Sequence, residues 1–218
     1  MQVSNLAAEA AIKIGANAQL VRTGALYHDI GKLGNPAFFT ENQSGVNPHQ
    51  AISYEQSAQI IIQHIKDGLK MADKLMLPQA IKDFISTHHG KSKTKYFYNS
   101  FKNEFPDFKI NEESFTYPGP NPFTKETAIL MMADSVEAAS RSLKEYTEES
   151  IAKLVNNIID GQIADGLMKD APISFRDVET IKSVFIEKLK TMYHTRISYP
   201  ELKKNGGKSP EQENSSKN

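Results

Sequence analysis

The sequence predicts an all-α domain, and three observations predict it. Apolar residues recur at three- and four-residue intervals along most of the chain, the spacing that gathers them on one helix face. Ser, Thr or Asn precedes several of these runs and glycine follows them, as helix caps and stops do. No run alternates apolar and polar residues as a half-buried strand does, and no internal repeat is present.

Residues 3–14 read as the first helix, with alanines and Leu6 on one face and Gly15 as its stop. Asn17 caps a second, with Leu20, Val21, Leu26 and Ile30 inward, His28 and Asp29 in its last turns and Gly31 at its end. Residues 33–52 form a loop broken by Gly34, Pro36, Gly45 and Pro48. Its apolar centre, Phe38-Phe39-Thr40-Glu41-Asn42-Gln43, marks it as a binding element rather than a linker. His49, after Asn47-Pro48, reads as a turn or capping histidine.

Ser53 and Gln56 have the spacing of a capping box. The helix they open runs to about Met76, with Ile60, Ile61, His64, Ile65, Leu69 and Ala72 inward. Pro78 starts the next, where Ile81, Phe84, Ile85 and His88 share a face and Gly90 closes. Residues 91–108 mix lysines with aromatics (Lys93, Lys95, Tyr96, Phe97, Tyr98, Phe101). They read as an amphipathic helix with its rings inward, or as a wall that stacks on bases and contacts phosphate. Thr124 caps a strongly apolar helix over 125–143 that contains Asp134 and ends at Arg141, a surface residue or a phosphate clamp. Thr147 opens a helix to about Gly161, and Ser174 one to about His194. Residues 202–218 read as a disordered polar tail, which leaves 1–201 as one domain.

Charge narrows the partners. Lys plus Arg total 26 and Asp plus Glu total 26, so the net charge is zero. A nucleic-acid polymer or a polybasic membrane contact needs a positive field that this chain lacks. The absence of cysteine restricts any metal site to nitrogen and oxygen ligands. No stretch has the ~20 apolar residues of a membrane span.

His28, Asp29, His64, His88, His89 and Asp134 are polar residues planted among apolar ones on four separate helices. A buried carboxylate or a lone imidazole on a core face needs a partner. Singly, each has an ordinary reading as a core histidine or a salt-bridged acid. Together they are explained by convergence on two closely spaced divalent ions with a carboxylate between them. A set without soft ligands suits Mn²⁺ or Fe²⁺, and Zn²⁺ is compatible.

The chain resembles a known family. The stretches that carry the resemblance are Leu26-Tyr27-His28-Asp29-Ile30-Gly31-Lys32, Phe38-Phe39-Thr40-Glu41-Asn42-Gln43, Asn47-Pro48-His49, Thr87-His88-His89-Gly90, Lys95-Tyr96-Phe97-Tyr98, Tyr117-Pro118-Gly119-Pro120, Ala133-Asp134-Ser135-Val136-Glu137-Ala138-Ala139-Ser140-Arg141 and residues 193–200. They look like the HD-domain phosphohydrolases, and within them the cytoplasmic domain of the seven-transmembrane bacterial receptors that hydrolyse cyclic di-AMP. The resemblance implies a helical bundle around a dinuclear metal site. It gives one metal His28, Asp29 and Asp134, and the other His64, His88 and His89, with Asp29 bridging. It also implies metal-assisted phosphodiester hydrolysis to the linear dinucleotide; the candidates for catalysis are Asp29 and Lys32, those for phosphate oxygens Lys32 and Arg141, that for stacking on adenine Tyr96 or Phe97, and Lys95 is a further substrate-binding candidate. The family pattern has a further histidine just upstream of Val3-Ser4-Asn5-Leu6. The first metal is therefore expected to be one ligand short, in a piece of a longer membrane protein. A homodimer is compatible with all of this.

Two other readings remain open at the level of sequence. One is an HD phosphohydrolase for another nucleotide; the Gly-Tyr-Pro signature of the cyclic di-GMP branch is absent, since Lys91-Ser92-Lys93 follows Gly90. The other is a nucleotide-binding sensor with impaired catalysis.

Overall fold

The computed structural model describes residues 2–43 and 45–194, the side chain of His194 excepted. Eight α-helices make up the described part: α1 (Gln2–Lys13), α2 (Ala18–Tyr27), α3 (Tyr54–Lys74), α4 (Gln79–Thr87), α5 (Lys95–Glu104), α6 (Lys125–Ser140), α7 (Glu148–Ala164) and α8 (Phe175–His194). The described residues form no strand, only a single antiparallel bridge between Lys93 and Thr116. No helix among them is long and apolar enough to cross a membrane. The tail expected over 202–218 and most of the 193–200 stretch lie outside the described residues.

Helix α6 sits at the centre because of its composition. Ala128, Ile129, Leu130, Met131, Met132 and Ala133 cover every side of it, and all are buried. A helix that is apolar all round is stable only when surrounded, and α1, α2, α4, α7 and α8 all pack on it. The core continues through Leu6, Val21, Phe84, Ile159, Ile181 and Phe185. A smaller cluster of Ile62, Ile65 and Tyr117 lies on the other side, under α3.

Caps set the ends of the helices. Ser53 and Gln56 close a reciprocal capping box on α3, and Thr124 and Thr127 one on α6. The Ser174 hydroxyl accepts from the Asp177 amide at 3.1 Å while the Asp177 carboxylate accepts from the Ser174 amide at 3.0 Å. Gly15 takes φ +70°, which is the left-handed turn expected after α1.

The structure corrects several expectations. α2 stops at Tyr27, and Ile30–Gly34 is a separate 3₁₀ turn, so Gly31 lies inside a turn rather than at a helix end. Leu26, expected inward, is 63 % exposed because the buried face of α2 runs through Val21, Gly24 and Ala25, and Leu26 lies off it. α3 ends at Lys74, before Leu75 and Met76, and α6 ends at Ser140 rather than near 143. α5 is shorter than the lysine- and aromatic-rich stretch that contains it. None of its residues is fully buried, yet Tyr98 and Phe101 pack on the buried Phe115 while Tyr96 and Phe97 line a cavity. The 33–52 loop is a chain of short 3₁₀ turns (Ile30–Gly34, Pro36–Phe38, Thr40–Asn42, Pro48–Ala51) folded over the α3–α5 side.

Candidate metal centre

Local geometry delivers each ligand. The His28 amide donates to the Gly24 carbonyl at 2.9 Å as the last α2 bond. Asp29 then turns to φ −105°, ψ 12°, the sparsely allowed bridge region where many site residues lie. That turn lets two adjacent side chains reach one place, which a continuing helix, with its ~100° per residue, would not. Gly31 fixes how deep the turn sits. A β-carbon there would stand 1.8 Å from the His64 carbonyl oxygen and 2.5 Å from the Gly68 nitrogen. The 30–34 turn therefore lies directly on the α3 backbone at the level of His64.

His88 and His89 follow the last turn of α4 and lie beneath α3, and Asp134 comes from α6. His64, His88 and His89 offer ligand atoms within 4.8 Å of one another, and so do His28, Asp29 and Asp134. The two groups meet at Asp29. Its Oδ1 lies 3.5 Å from both His64 Nε2 and His88 Nε2, while its Oδ2 lies 3.2 Å from His28 Nε2. His28 Nε2 is also 3.4 Å from Asp134 Oδ1.

The tautomers of three imidazoles follow from their other nitrogen. His28 Nδ1 is 2.9 Å from the Ala25 carbonyl oxygen, His64 Nδ1 is bonded to that of Ile61, and His88 Nδ1 is 3.0 Å from that of Ile85. A carbonyl only accepts, so each Nδ1 carries a hydrogen and the Nε2 atoms are the ones turned inward, bare on a neutral ring such as His64 and holding a proton on His28, which Asp29 and Asp134 flank. His64 Nε2 and His88 Nε2 then face each other at 3.2 Å as two lone pairs. His28 Nε2 and Asp29 Oδ1 are buried without a hydrogen-bond partner. Lone pairs gathered this way repel unless a cation sits among them, and backbone carbonyls on the far nitrogens are the usual support of metal-ligating histidines. The residues present therefore fit divalent metal.

Protons show the same pull. Burial opposes charge on His28, yet Asp29 and Asp134 raise its pKa to about 10. Burial raises the Asp134 carboxyl, but His28 outweighs it and brings the pKa down to about 2. Burial, then the neighbouring His88, lowers His64 to about 4 and pushes His89 well below the usual imidazole range. His64 and His89 are thus kept neutral for metal, while His28 holds a proton in a cation's place.

Around the centre, the Lys32 ammonium lies 2.8 Å from both Asp29 Oδ2 and Glu41 Oε1, and 5.1 Å from the centroid of the Phe39 ring. Burial disfavours its charge, but Asp29 and Glu41 hold its pKa above the ordinary value. Tyr117 stacks on His89 at 4.2 Å between centroids, and Phe39 meets His64 edge-on at 5.7 Å. Arg141 forks onto the buried Glu137 carboxylate, with Nη2 2.7 Å from Oε2 and Nε 3.0 Å from Oε1.

The centre opens into a cavity of about 1140 Å³, lined by His89, Asp134 and Tyr117, by Phe38, Phe39, Glu41 and His49 of the folded loop, by Lys95, Tyr96 and Phe97 of α5, and by Gln162 of α7. Its size is at the top of the ~300–1000 Å³ range of small-ligand pockets, enough for a dinucleotide rather than a single base. Lys95 and Tyr96 are on its exposed rim, Lys95 3.5 Å from Asp165. Lys32 and Arg141 lie beside the centre, each paired with an acid. His49, expected only to shape a turn, stands in the wall: its Nε2–H donates to the Phe38 carbonyl at 2.9 Å, and its ring meets Phe97 at 4.9 Å.

Sequence reasoning passed over Gln162, and it named Phe39, Tyr117 and Glu137 only within longer stretches, without a role for each. Gln162 left a trace, since it follows Ile158 and Ile159 on the apolar face of α7, the kind of exception that singled out Asp134. Phe39 and Tyr117 come from loops, where no periodicity distinguishes them.

Comparison with known proteins agrees with this geometry. Residues 1–139 match the HD domain family. The chain is 44 % identical over 204 residues to the cyclic-di-AMP phosphodiesterase PgpH of Listeria monocytogenes serotype 1/2a (strain 10403S), and 42 % identical over 205 residues to that of Bacillus subtilis (strain 168). These alignments cover 93 % and 94 % of this chain but 28 % and 29 % of the relatives, so the chain spans under a third of their length. The crystal structure of the L. monocytogenes PgpH HD domain in complex with cyclic di-AMP superimposes with a TM-score of 0.85 at 44 % identity, covering 91 % of this chain and 92 % of that one. Helical architecture, paired histidine and aspartate groups and sequence relationship all converge: this chain belongs to the HD domain family.

Proposed function

We propose that this domain is a metal-dependent phosphodiesterase that opens cyclic di-AMP to the linear dinucleotide pApA. One observation carries the reading: two groups of side chains able to ligate metal meet at Asp29, and two of their members, His89 and Asp134, line a cavity large enough for a dinucleotide. The relationship to proteins named as cyclic-di-AMP phosphodiesterases supports the substrate. It also supports a place for this domain on the cytoplasmic side of a longer membrane protein.

His28, Asp29 and Asp134 would hold one divalent ion and His64, His88 and His89 the other, with Asp29 reaching both. The all-N/O set favours Mn²⁺ or Fe²⁺. When bound, such a pair supplies Lewis-acid stabilisation of charge on the phosphoryl oxygens and makes water nucleophilic near neutral pH. The protein's own groups do the rest. The Ala25, Ile61 and Ile85 carbonyls fix the ring orientations, so the ligands need no reorganisation as charge develops. Lys32 and Arg141 present cationic donors beside the centre for non-bridging phosphate oxygens. Lys95 and Tyr96 at the rim steer and cover the base. The walls formed by Phe38, Phe39 and Phe97 exclude water from around the reacting group.

Turnover of a panel of cyclic di-AMP, cyclic di-GMP, deoxynucleoside triphosphates and guanosine tetraphosphate with Mn²⁺ tests the proposal. Cleavage of cyclic di-AMP to pApA, at least about tenfold faster than of any other member, is the expected result. Cleavage of another nucleotide in its place, or binding of cyclic di-AMP without products, would overturn it.

A further inference from the structure

Two atoms of the cavity wall, His49 Nδ1 and Gln162 Oε1, are buried without a hydrogen-bond partner, but they have no surface that a ligand could touch. Glu41 is a charged residue of the same wall that a ligand can reach, its side chain being 40 % exposed. It belongs to the apolar 38–43 stretch, of which the walls and the centre have so far used only the two phenylalanines.

An acid at this place needs a reason. A cyclic dinucleotide brings two phosphodiester charges into the cavity, and a bare carboxylate in the wall repels them. Glu41 is not bare: its Oε1 accepts from the Lys32 ammonium at 2.8 Å. The same ammonium lies 2.8 Å from Asp29 Oδ2. An ammonium carries three donors, so with two carboxylates beside it one donor remains for a further oxygen. Lys32 keeps 24 % of its side chain exposed, which leaves that donor reachable. Arg141 senses the same acid. Burial disfavours its charge, but Glu137, then Glu41 and Asp134, hold its pKa above the ordinary value.

The backbone that carries Glu41 is braced on both sides. Phe39 is buried and edge-on to His64. The Phe38 carbonyl accepts from His49 Nε2–H at 2.9 Å and from Gln43 Nε2 at 3.5 Å. The Asn42 amide donates to the Phe39 carbonyl at 2.9 Å. An ordinary surface pair holds neither partner in one place; here one partner is built into the wall and the other flanks the shared carboxylate of the centre.

We propose that Glu41 is a positioning residue, which holds the Lys32 ammonium in one place beside Asp29 and leaves one of its donors for a non-bridging oxygen of the scissile phosphate. This deepens the phosphodiesterase reading and rests on it. Without the Glu41 charge the long lysine side chain has a single anchor, and its rotamers spread.

The test measures kcat/KM with Mn²⁺ for cyclic di-AMP and for bis-p-nitrophenyl phosphate, a small diester without bases. Glu41→Gln, which keeps the shape and removes the charge, should lower both by the same factor, about tenfold, with metal content unchanged. Added to Lys32→Met, it should cost nothing more. A residue that only braces the wall would harm cyclic di-AMP, spare the small diester, and cost as much with Lys32 as without it. The proposal is overturned by Glu41→Gln activity within about twofold of wild type on both substrates, by a fall confined to cyclic di-AMP, by loss of metal, or by an undiminished cost in the Lys32→Met background. If the wild type leaves the small diester intact, the Lys32→Met comparison on cyclic di-AMP decides. If it opens the small diester but no cyclic dinucleotide, the substrate reading falls and the small diester alone decides on Glu41. A wild type inert toward both removes both.

Discussion

At the scale of single residues, Asp29 connects everything. Its two oxygens face different histidines, so its loss is unlike that of any other ligand. Asp29→Ala should empty both metal positions and lower phosphodiesterase activity by at least about a hundredfold; elemental analysis of the purified variant checks the first part. His64→Ala, by contrast, should spare the His28 group. The histidines also predict how the metal-free protein responds to pH. His64, held at about 4 in the folded state, binds fewer protons there than when unfolded. Stability therefore rises with pH between about 4 and 6.5, by about 3 kcal/mol from this group. His28, raised to about 10, binds more protons folded than unfolded. Its contribution is fully present below about 6.5 and is lost as pH climbs through 10. Urea denaturation in a chelator should accordingly show maximum stability near pH 6.5. Metal must expel the His28 proton, so affinity should rise up to about tenfold per pH unit across that upper window. Competition titrations with a chromogenic chelator would measure the slope. Histidine and aspartate on apolar faces could be read in the sequence because burial of such groups is an exception that demands a cause. Gln162 carries no charge to make the exception conspicuous, His49 lies in a loop with no apolar face to stand out from, and only their neighbours reveal which atom is left unpaired.

At the scale of elements, the contact between the 30–34 turn and α3 decides whether the two ligand groups share Asp29. Gly31→Ala would drive a methyl into the His64 carbonyl, a backbone atom that cannot step aside without moving α3. The expected cost is about 3 kcal/mol in urea denaturation, together with reduced metal content in folded protein. Boundaries marked by side-chain caps were legible in the sequence, because Asn17, Ser53, Thr124, Thr147 and Ser174 bond amides only a few residues away. The end of α2 was not. Nothing local forbids another helical turn after Tyr27, and the 3₁₀ geometry arises from seating Gly31 on another helix.

At the scale of the whole molecule, the metal centre is the junction of α2, α3, α4 and α6, elements that meet only when the chain is folded. Cations bound there stabilise the folded state by mass action, about 2.7 kcal/mol each at a hundredfold excess over Kd. Chelation should therefore lower the melting temperature by several degrees per ion, and added Mn²⁺ should restore it in scanning calorimetry. The sequence by itself determined the helical class, the strongly apolar character of the 128–133 run and the six histidines and aspartates proposed as ligands. Periodicity, caps and the penalty for burying polar groups are properties of short stretches. The tertiary structure alone decided that Asp29 lies between two sets of imidazoles, that the 33–52 segment folds into a cavity wall, and that His49 and Gln162 keep an acceptor without a hydrogen. Those facts depend on distances between residues far apart in the chain, which packing sets and no local pattern encodes.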